Sequence, residues 1–197
     1  MSNGPSTSTI NSMADVWEAY RAELDGVEHQ VRQNLDSSVT LVNTVAAHIL
    51  NSGGKRVRPL LLLLSARLCG YAGREHYQLG SLVEFIHTAT LLHDDVVDEA
   101  DIRRGRRTAR KVWGNQISIL VGDYLYSKAM AQIVEFRSHG MNEVLAEACT
   151  KMAEGEVLQL YYNGNPSMPE SDYIKIVEHK TAGLIAAACR MGAILAD

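Results

Sequence analysis

A chain of 197 residues with 19 Lys and Arg against 23 Asp and Glu carries a formal charge of −4, and 46% of it is hydrophobic and 21% charged. That composition belongs to a globular protein with enough length for a sizeable core, not to a disordered or collagen-like chain. The acidic balance argues against a general nucleic-acid binder, whose phosphate contacts favour a basic surface. No run of about 18 apolar residues occurs, because Pro59 to Leu64 is short and Ala182 to Ala196 is interrupted by Arg190, so no integral membrane segment is expected.

The first ten residues, MSNGPSTSTI, are small and polar and lack the pattern of a secretory signal. They are expected to form a disordered tail, with residues 11–197 making part of one helical domain. Cys69, Cys149 and Cys189 lie far apart among small or apolar neighbours and without a CxxC pair, as expected of reduced core thiols in a cytoplasmic protein. Apolar residues recur at three and four: Val31, Leu35, Val39, Val42 and Val45, then Val83, Ile86, Leu91 and Val97, then Val144, Ala148 and Met152. Alternating strand patterns are absent, and about seven helices are expected, an all-α fold. Turn signals fall at Gly53-Gly54, Gly70 to Gly73, Arg104-Gly105, Ser138 to Gly140 and Asn163 to Pro169. Pro59 suits a first helical turn after the GGKRVR loop, and that helix should close at Gly70. Ser167 three residues before Glu170 is the signature of a capping box, which places a further helix start there.

The most informative stretch runs from Glu84 to Lys111. Five carboxylates fall between Asp94 and Asp101, and six cations between Arg103 and Lys111. On a helix Asp94 and Asp98 are four apart and Asp95 and Asp98 three apart, so the three side chains can converge. Like charges so spaced need a cationic partner: either the following arginines or a divalent metal, and hard oxygen donors suit Mg²⁺. His87 lies about two turns before Asp94 on the same helix. The GGKRVRP loop offers Lys55 and Arg58 at a helix N-terminus, either a diphosphate pocket or a solvated basic loop; its glycine spacing is not that of a nucleotide P-loop. Arg103-Arg104-Gly105 reads as a phosphate clamp or an exposed turn, while Arg106, Arg107, Arg110 and Lys111 read as solvated surface. Lys180-Thr181 puts an ammonium and a hydroxyl at the head of an apolar helix, either at an exposed point or facing a ligand.

Taken in order, GGKRVRP, EFIHTATLLHDDVVDEADIRRG, WGNQISILVGDYLYSKA, EGEVLQL and EHKTAGLIAAACRMGA resemble the trans-type polyprenyl diphosphate synthases over essentially residues 20 to 197. The resemblance is to the long-chain members, those making octaprenyl, solanesyl or decaprenyl products. It implies an isoprenoid-synthase-type helical bundle around a central cavity, a homodimer, and condensation of isopentenyl diphosphate with an allylic diphosphate. By the same resemblance Asp94, Asp95 and Asp98 hold Mg²⁺, and with Arg103 and Lys180 form the catalytic set. Lys55, Arg58, His87 and Arg104 grip isopentenyl diphosphate, and Arg103, Lys180 and Thr181 contact the allylic diphosphate. Ala89 and Thr90 occupy the chain-length pocket, where short-chain members often carry an aromatic ring, so a medium- or long-chain product is implied.

Members of that family run longer and carry a second aspartate-rich motif after the Lys-Thr pair, whereas here the only carboxylate beyond Thr181 is Asp197. The expectation is therefore a chain cut before the closing C-terminal helices, weak or inactive alone. Two alternatives stand beside a synthase: a non-catalytic partner subunit, and an HD-type metal-dependent phosphohydrolase built on His93-Asp94.

Overall fold

The computed structural model describes residues 10–196; residues 1–9 of the expected tail, and Asp197, lie outside the described residues. The chain forms α1 (Met13–Ala19), α2 (Arg21–Asn34), α3 (Thr40–Leu50), α4 (Val57–Leu68) and α5 (Glu75–Val97). A two-residue hairpin follows, β1 (Ile102–Arg103) paired antiparallel with β2 (Arg106–Arg107), then α6 (Ala109–Trp113), α7 (Asn115–Glu135) and α8 (His139–Tyr161). Last come α9 (Glu170–Val177), a π-helical turn (Glu178–Ala182) and α10 (Gly183–Ile194). The architecture is all-α, as the periodicity and the resemblance both imply.

α5 is the axis of the bundle. Every residue from Leu79 to Ile86 is buried, so this stretch is surrounded rather than laid on a surface. It packs against α2, α4, α7 and α10, with α3 and α6 at contact as well. Burying Leu79, Leu82, Phe85 and Ile86 fully contributes about 1.5–3 kcal/mol each. α10 lies along α4 so closely that a Cβ on Gly192 would sit 2.4 Å from the Leu62 carbonyl oxygen, a contact only glycine permits. α8 rests chiefly on α10, the π turn and α9, and an apolar groove of about 790 Å³ opens beside it, lined by Tyr126, Cys149, Val157 and Tyr161.

The local signals explain most boundaries. Pro59 lies in the first turn of α4, which ends at Cys69 with Gly70 following at φ +88°. Ser138 caps α8, its hydroxyl accepting from the Met141 N–H, and Thr108 caps α6 through the Lys111 N–H.

Several expectations need correction. The described residues form ten α-helical segments instead of about seven; one of the added boundaries falls at Leu35 to Val39, which breaks the run Val31 to Val45 and leaves Val39 more than half exposed. Period alone spans a short loop that keeps phase. A helix does begin at Glu170, but Pro169 is its cap and Ser167 makes no side-chain capping bond. The hairpin at Ile102 to Arg107 has no alternating pattern to announce it; two backbone pairs around Gly105 suffice. Only Cys149 is buried, whereas Cys69 is exposed at the end of α4 and Cys189 half-buried.

Candidate active site

Two polar regions of opposite sign are built along α5. The first surrounds the GGKRVRP loop, where Gly54, Lys55, Arg56, Arg58, His87 and Arg104 line a pocket of about 300 Å³ with Glu84 at its wall. Arg56 and Arg104 both adopt left-handed backbone conformations, φ 48° and 50°, which non-glycine residues rarely hold without a compensating fit. For Arg56 the compensation is visible: its guanidinium is paired with Glu28, donates to Glu84 at 2.8 Å and reaches the Leu50 carbonyl at 3.1 Å. The Trp17 indole N–H donates to the Lys55 carbonyl at 2.8 Å and fixes the loop from the other side.

Desolvation and the surrounding cations set the charges here. Burial lowers the Arg58 guanidinium from its ordinary value despite the pull of Glu84, and its Nε is buried with no hydrogen-bond partner. His87 is pushed down to about 3, first by burial and then by Arg58, Arg104 and Arg56, so it stands neutral among cations. Glu84, 3% exposed, is raised by burial against the opposing pull of Arg56 and Arg58. An unpaired buried guanidinium N–H beside a neutral imidazole and two further cations is a receptor for an anion.

The second region lies about 10 Å further along α5, seven residues at 1.5 Å each. Asp94 faces α8 and the π turn: Lys180 Nζ lies 4.0 Å from Asp94 Oδ2 and 2.6 Å from Glu156 Oε2. The Asp94 carboxyl is pushed up to about 6, by burial first and then by Glu156, with Lys180 opposing. Glu156 Oε1 is buried without a partner. Lys180 and Thr181 belong to the π turn rather than to a regular helix, a deviation that often marks functional positions; Thr181 is exposed. Gly155 lets α8 approach that turn, since a Cβ there would meet His179 Cβ at 2.8 Å and the Lys180 nitrogen at 2.9 Å.

The three aspartates do not converge as spacing alone suggests. Asp95 is 1% exposed and turned to the hairpin side, where the Arg103 Nε donates to its Oδ1 at 2.7 Å while Oδ2 has no partner. Asp98 ends α5 in the open. The reason is helical: residues 94 and 95 point about 100° apart, so only one can face the cleft. Of the two compensations anticipated for the acidic run, the arginines are present, Arg103 for Asp95 at 2.7 Å and Arg110 with Lys111 for Asp101 at 3.1 and 2.8 Å, while Asp94 has the unanticipated Lys180 at 4.0 Å. Arg110 is accordingly half-buried rather than free surface, whereas Arg106 and Arg107 are exposed as expected. His93 faces α7, its Nε2 3.2 Å from both the Ile119 carbonyl and Asp123, and so points away from its neighbour Asp94. Ala89 is buried in the core and the Thr90 hydroxyl donates to the His87 carbonyl at 2.8 Å.

Among the described residues no three His, Cys, Asp or Glu side chains are gathered tightly enough to cage a metal ion. The donors nonetheless suit a hard divalent ion that takes one or two carboxylates and completes its shell with phosphate oxygens and water. Asp94, raised by burial and then by Glu156, whose Oε1 has no partner, is where such an ion relieves the most repulsion.

Comparison with known proteins follows the same lines. The Polyprenyl synthetase family model matches residues 39–197. The chain belongs to that family. The octaprenyl diphosphate synthase of Escherichia coli (strain K12) is 45% identical over 174 residues, covering 88% of this chain and 54% of that protein. The heptaprenyl diphosphate synthase component 2 of Geobacillus stearothermophilus is 35% identical over 174 residues, with the same coverage, 88% and 54%. The crystal structure of a polyprenyl synthase from Caulobacter crescentus CB15, complexed with calcium and isoprenyl diphosphate, superposes with a TM-score of 0.91 at 40% identity, covering 96% of this chain and 58% of that one. The chain thus spans a little over half the length of the relatives it matches. No helix among the described residues is long and apolar enough to cross a membrane.

Four residues of this site were not singled out by sequence: Arg56, Glu84, Gly155 and Glu156. Glu84 had a readable signal, a lone carboxylate inside an apolar helical run. Glu156 lay inside the EGEVLQL motif but nothing in its spacing distinguishes it from Glu154, which is exposed.

Proposed function

We propose that this polypeptide serves the condensation of isopentenyl diphosphate with an allylic diphosphate, yielding a medium- or long-chain polyprenyl diphosphate. The observation that carries the proposal is a pair of charged regions about 10 Å apart on one helix, one cationic and able to hold a diphosphate directly, the other carboxylate-lined and able to hold one through a divalent cation. Two diphosphates placed by them would bring two prenyl groups side by side, which is the entropic part of the reaction.

In this scheme Lys55, Arg58, His87 and Arg104 bind the isopentenyl diphosphate, His87 as a neutral hydrogen-bond partner. Asp94 and Asp98 would hold Mg²⁺ against the allylic diphosphate, with Asp95 fixing Arg103 beside them. The ion supplies charge neutralisation as the allylic C–O bond ionises. Lys180, Thr181 and Arg103 stabilise the departing pyrophosphate, and the alkene of isopentenyl diphosphate then attacks the allylic carbon before losing a proton. No protein base is assigned to that proton.

The relatives' names, octaprenyl and heptaprenyl, support a long product, as do the small residues Ala89 and Thr90 where a ring would block elongation. Because Ala89 is buried, Ala89→Phe should shorten the product at some cost in stability. A homodimer in the cytoplasm is the proposed setting, the latter supported by three free thiols. A second arrangement, pairing with a different subunit, draws support from the relative named a component 2. The test is incubation of the chain with isopentenyl diphosphate, farnesyl diphosphate and Mg²⁺, with products resolved by length. The chain is expected to be weak alone, and whatever elongated product it makes should vanish in Asp94→Ala; phosphate release without elongation would contradict the proposal and favour a phosphohydrolase.

A further inference from the structure

The roles set out above leave Glu156 without a task, although it makes the shortest ion pair in the cleft. The Lys180 ammonium stands between two carboxylates and is held by Glu156 Oε2 at 2.6 Å, while Asp94 Oδ2 at 4.0 Å is beyond hydrogen-bond range. Backbone geometry favours this choice. Gly155 admits the π turn against α8, and the next residue, Glu156, then meets the side chain that the turn carries. An ammonium and a divalent cation compete for the same carboxylate, because each satisfies its charge and its lone pairs. A lysine stem is flexible enough to cross the remaining 1.2 Å or so if its present partner is removed.

We propose that Glu156 is a positioning residue: by retaining the Lys180 ammonium it keeps Asp94 free for a divalent cation, while leaving Lys180 poised at the edge of the same cleft. This rests on the assignment of the Asp94 cleft as a metal site. Without the Glu156 carboxylate the strongest acceptor near Lys180 is Asp94, and a direct Lys180–Asp94 pair closes the metal position.

The test is a double-mutant cycle on the full 197-residue chain, read by Mn²⁺ binding in the absence of diphosphate, using the free-ion signal in electron paramagnetic resonance. Circular dichroism and a thermal melt confirm that each variant is folded. Glu156→Gln should weaken Mn²⁺ binding about tenfold, the scale of loss when a residue supporting a metal ligand is removed. Lys180→Met in the unsubstituted background should change affinity by less than about threefold, but in the Glu156→Gln background it should restore most of the loss, a non-additive pair. A structural defect at Glu156 would not be repaired by deleting a second side chain. Equal effects of Lys180→Met in both backgrounds would reduce the role to through-space charge and overturn the proposal. A double variant as weak as Glu156→Gln would make Glu156 itself a metal ligand and also overturn it. Absence of any Mn²⁺ uptake that Asp94→Ala removes would overturn the metal assignment beneath it, and the proposal with it.

Discussion

The basic pocket and the acidic cleft solve the same electrostatic problem with opposite signs. Each gathers like charges for a ligand it has yet to meet, and each keeps one opposite charge in residence: Glu84 among Arg56, Arg58 and Arg104, Lys180 between Glu156 and Asp94. They differ in depth. Glu84 is almost fully buried and bonded to a loop arginine in a left-handed conformation, so the pocket's shape depends on it. Lys180 is partly exposed on a π turn, held by Glu156 at 2.6 Å with Asp94 at 4.0 Å. The pocket is anchored by a deeply buried carboxylate, whereas the cleft is anchored by a partly exposed ammonium.

The largest effect is expected in the pocket. Glu84→Ala leaves the Arg56 and Arg58 charges buried with less compensation and should cost about 3–5 kcal/mol, read by urea denaturation. A loss below about 1 kcal/mol would show that Glu28 alone holds Arg56 and would break the contrast in depth.

The cleft should respond in the opposite direction. Asp94 has a folded-state value of about 6 against an ordinary 3.8, so the folded chain holds its proton more tightly and loses stability as pH rises through that interval. Asp94→Asn should therefore stabilise the metal-free chain by about 2 kcal/mol at pH 7, the gain fading toward pH 4. The same substitution should weaken Mg²⁺-dependent binding, so stability and binding move apart. A variant less stable than the parent at pH 7 would contradict the repulsion inferred for this cleft.

His87 gives the smallest effect and the reverse slope. Its folded value of about 3 lies below the ordinary 6.5, so the unfolded chain binds the extra proton and stability falls as pH drops below 6.5. His87→Gln should remove about 1–2 kcal/mol of that loss between pH 7 and pH 5, in melts across the range. Burial also lowers His76, so some acid sensitivity should persist in the variant. Unchanged pH dependence would mean that His87 already carries a proton in the pocket.

The two regions were also unequally legible. The cationic one could be read from GGKRVRP and His87 because its residues sit on a loop and a helix whose boundaries glycine and proline announce. The acidic one could be located but not drawn. Spacing brings Asp94, Asp95 and Asp98 to one side of an isolated helix, yet it carries no information on which aspartate the neighbouring elements claim. Arg103 takes Asp95 through a hairpin that has no periodic signature. The π turn is equally silent, since EHKTA would continue an ordinary helix by composition, and only the packing of α8 at Gly155 fixes where the extra residue is absorbed. The same limit merged α2 and α3 into one pattern, because a loop of the right length preserves helical phase.

The most direct test of two anion sites of opposite construction is calorimetric titration of the chain with inorganic pyrophosphate, with and without Mg²⁺. The expected result is two sites: one that binds without metal and is lost in Arg58→Ala, and one that appears only with Mg²⁺ and is lost in Asp94→Ala. A single site indifferent to Mg²⁺, or a Mg²⁺-dependent site that survives Asp94→Ala, would contradict the division of labour along α5.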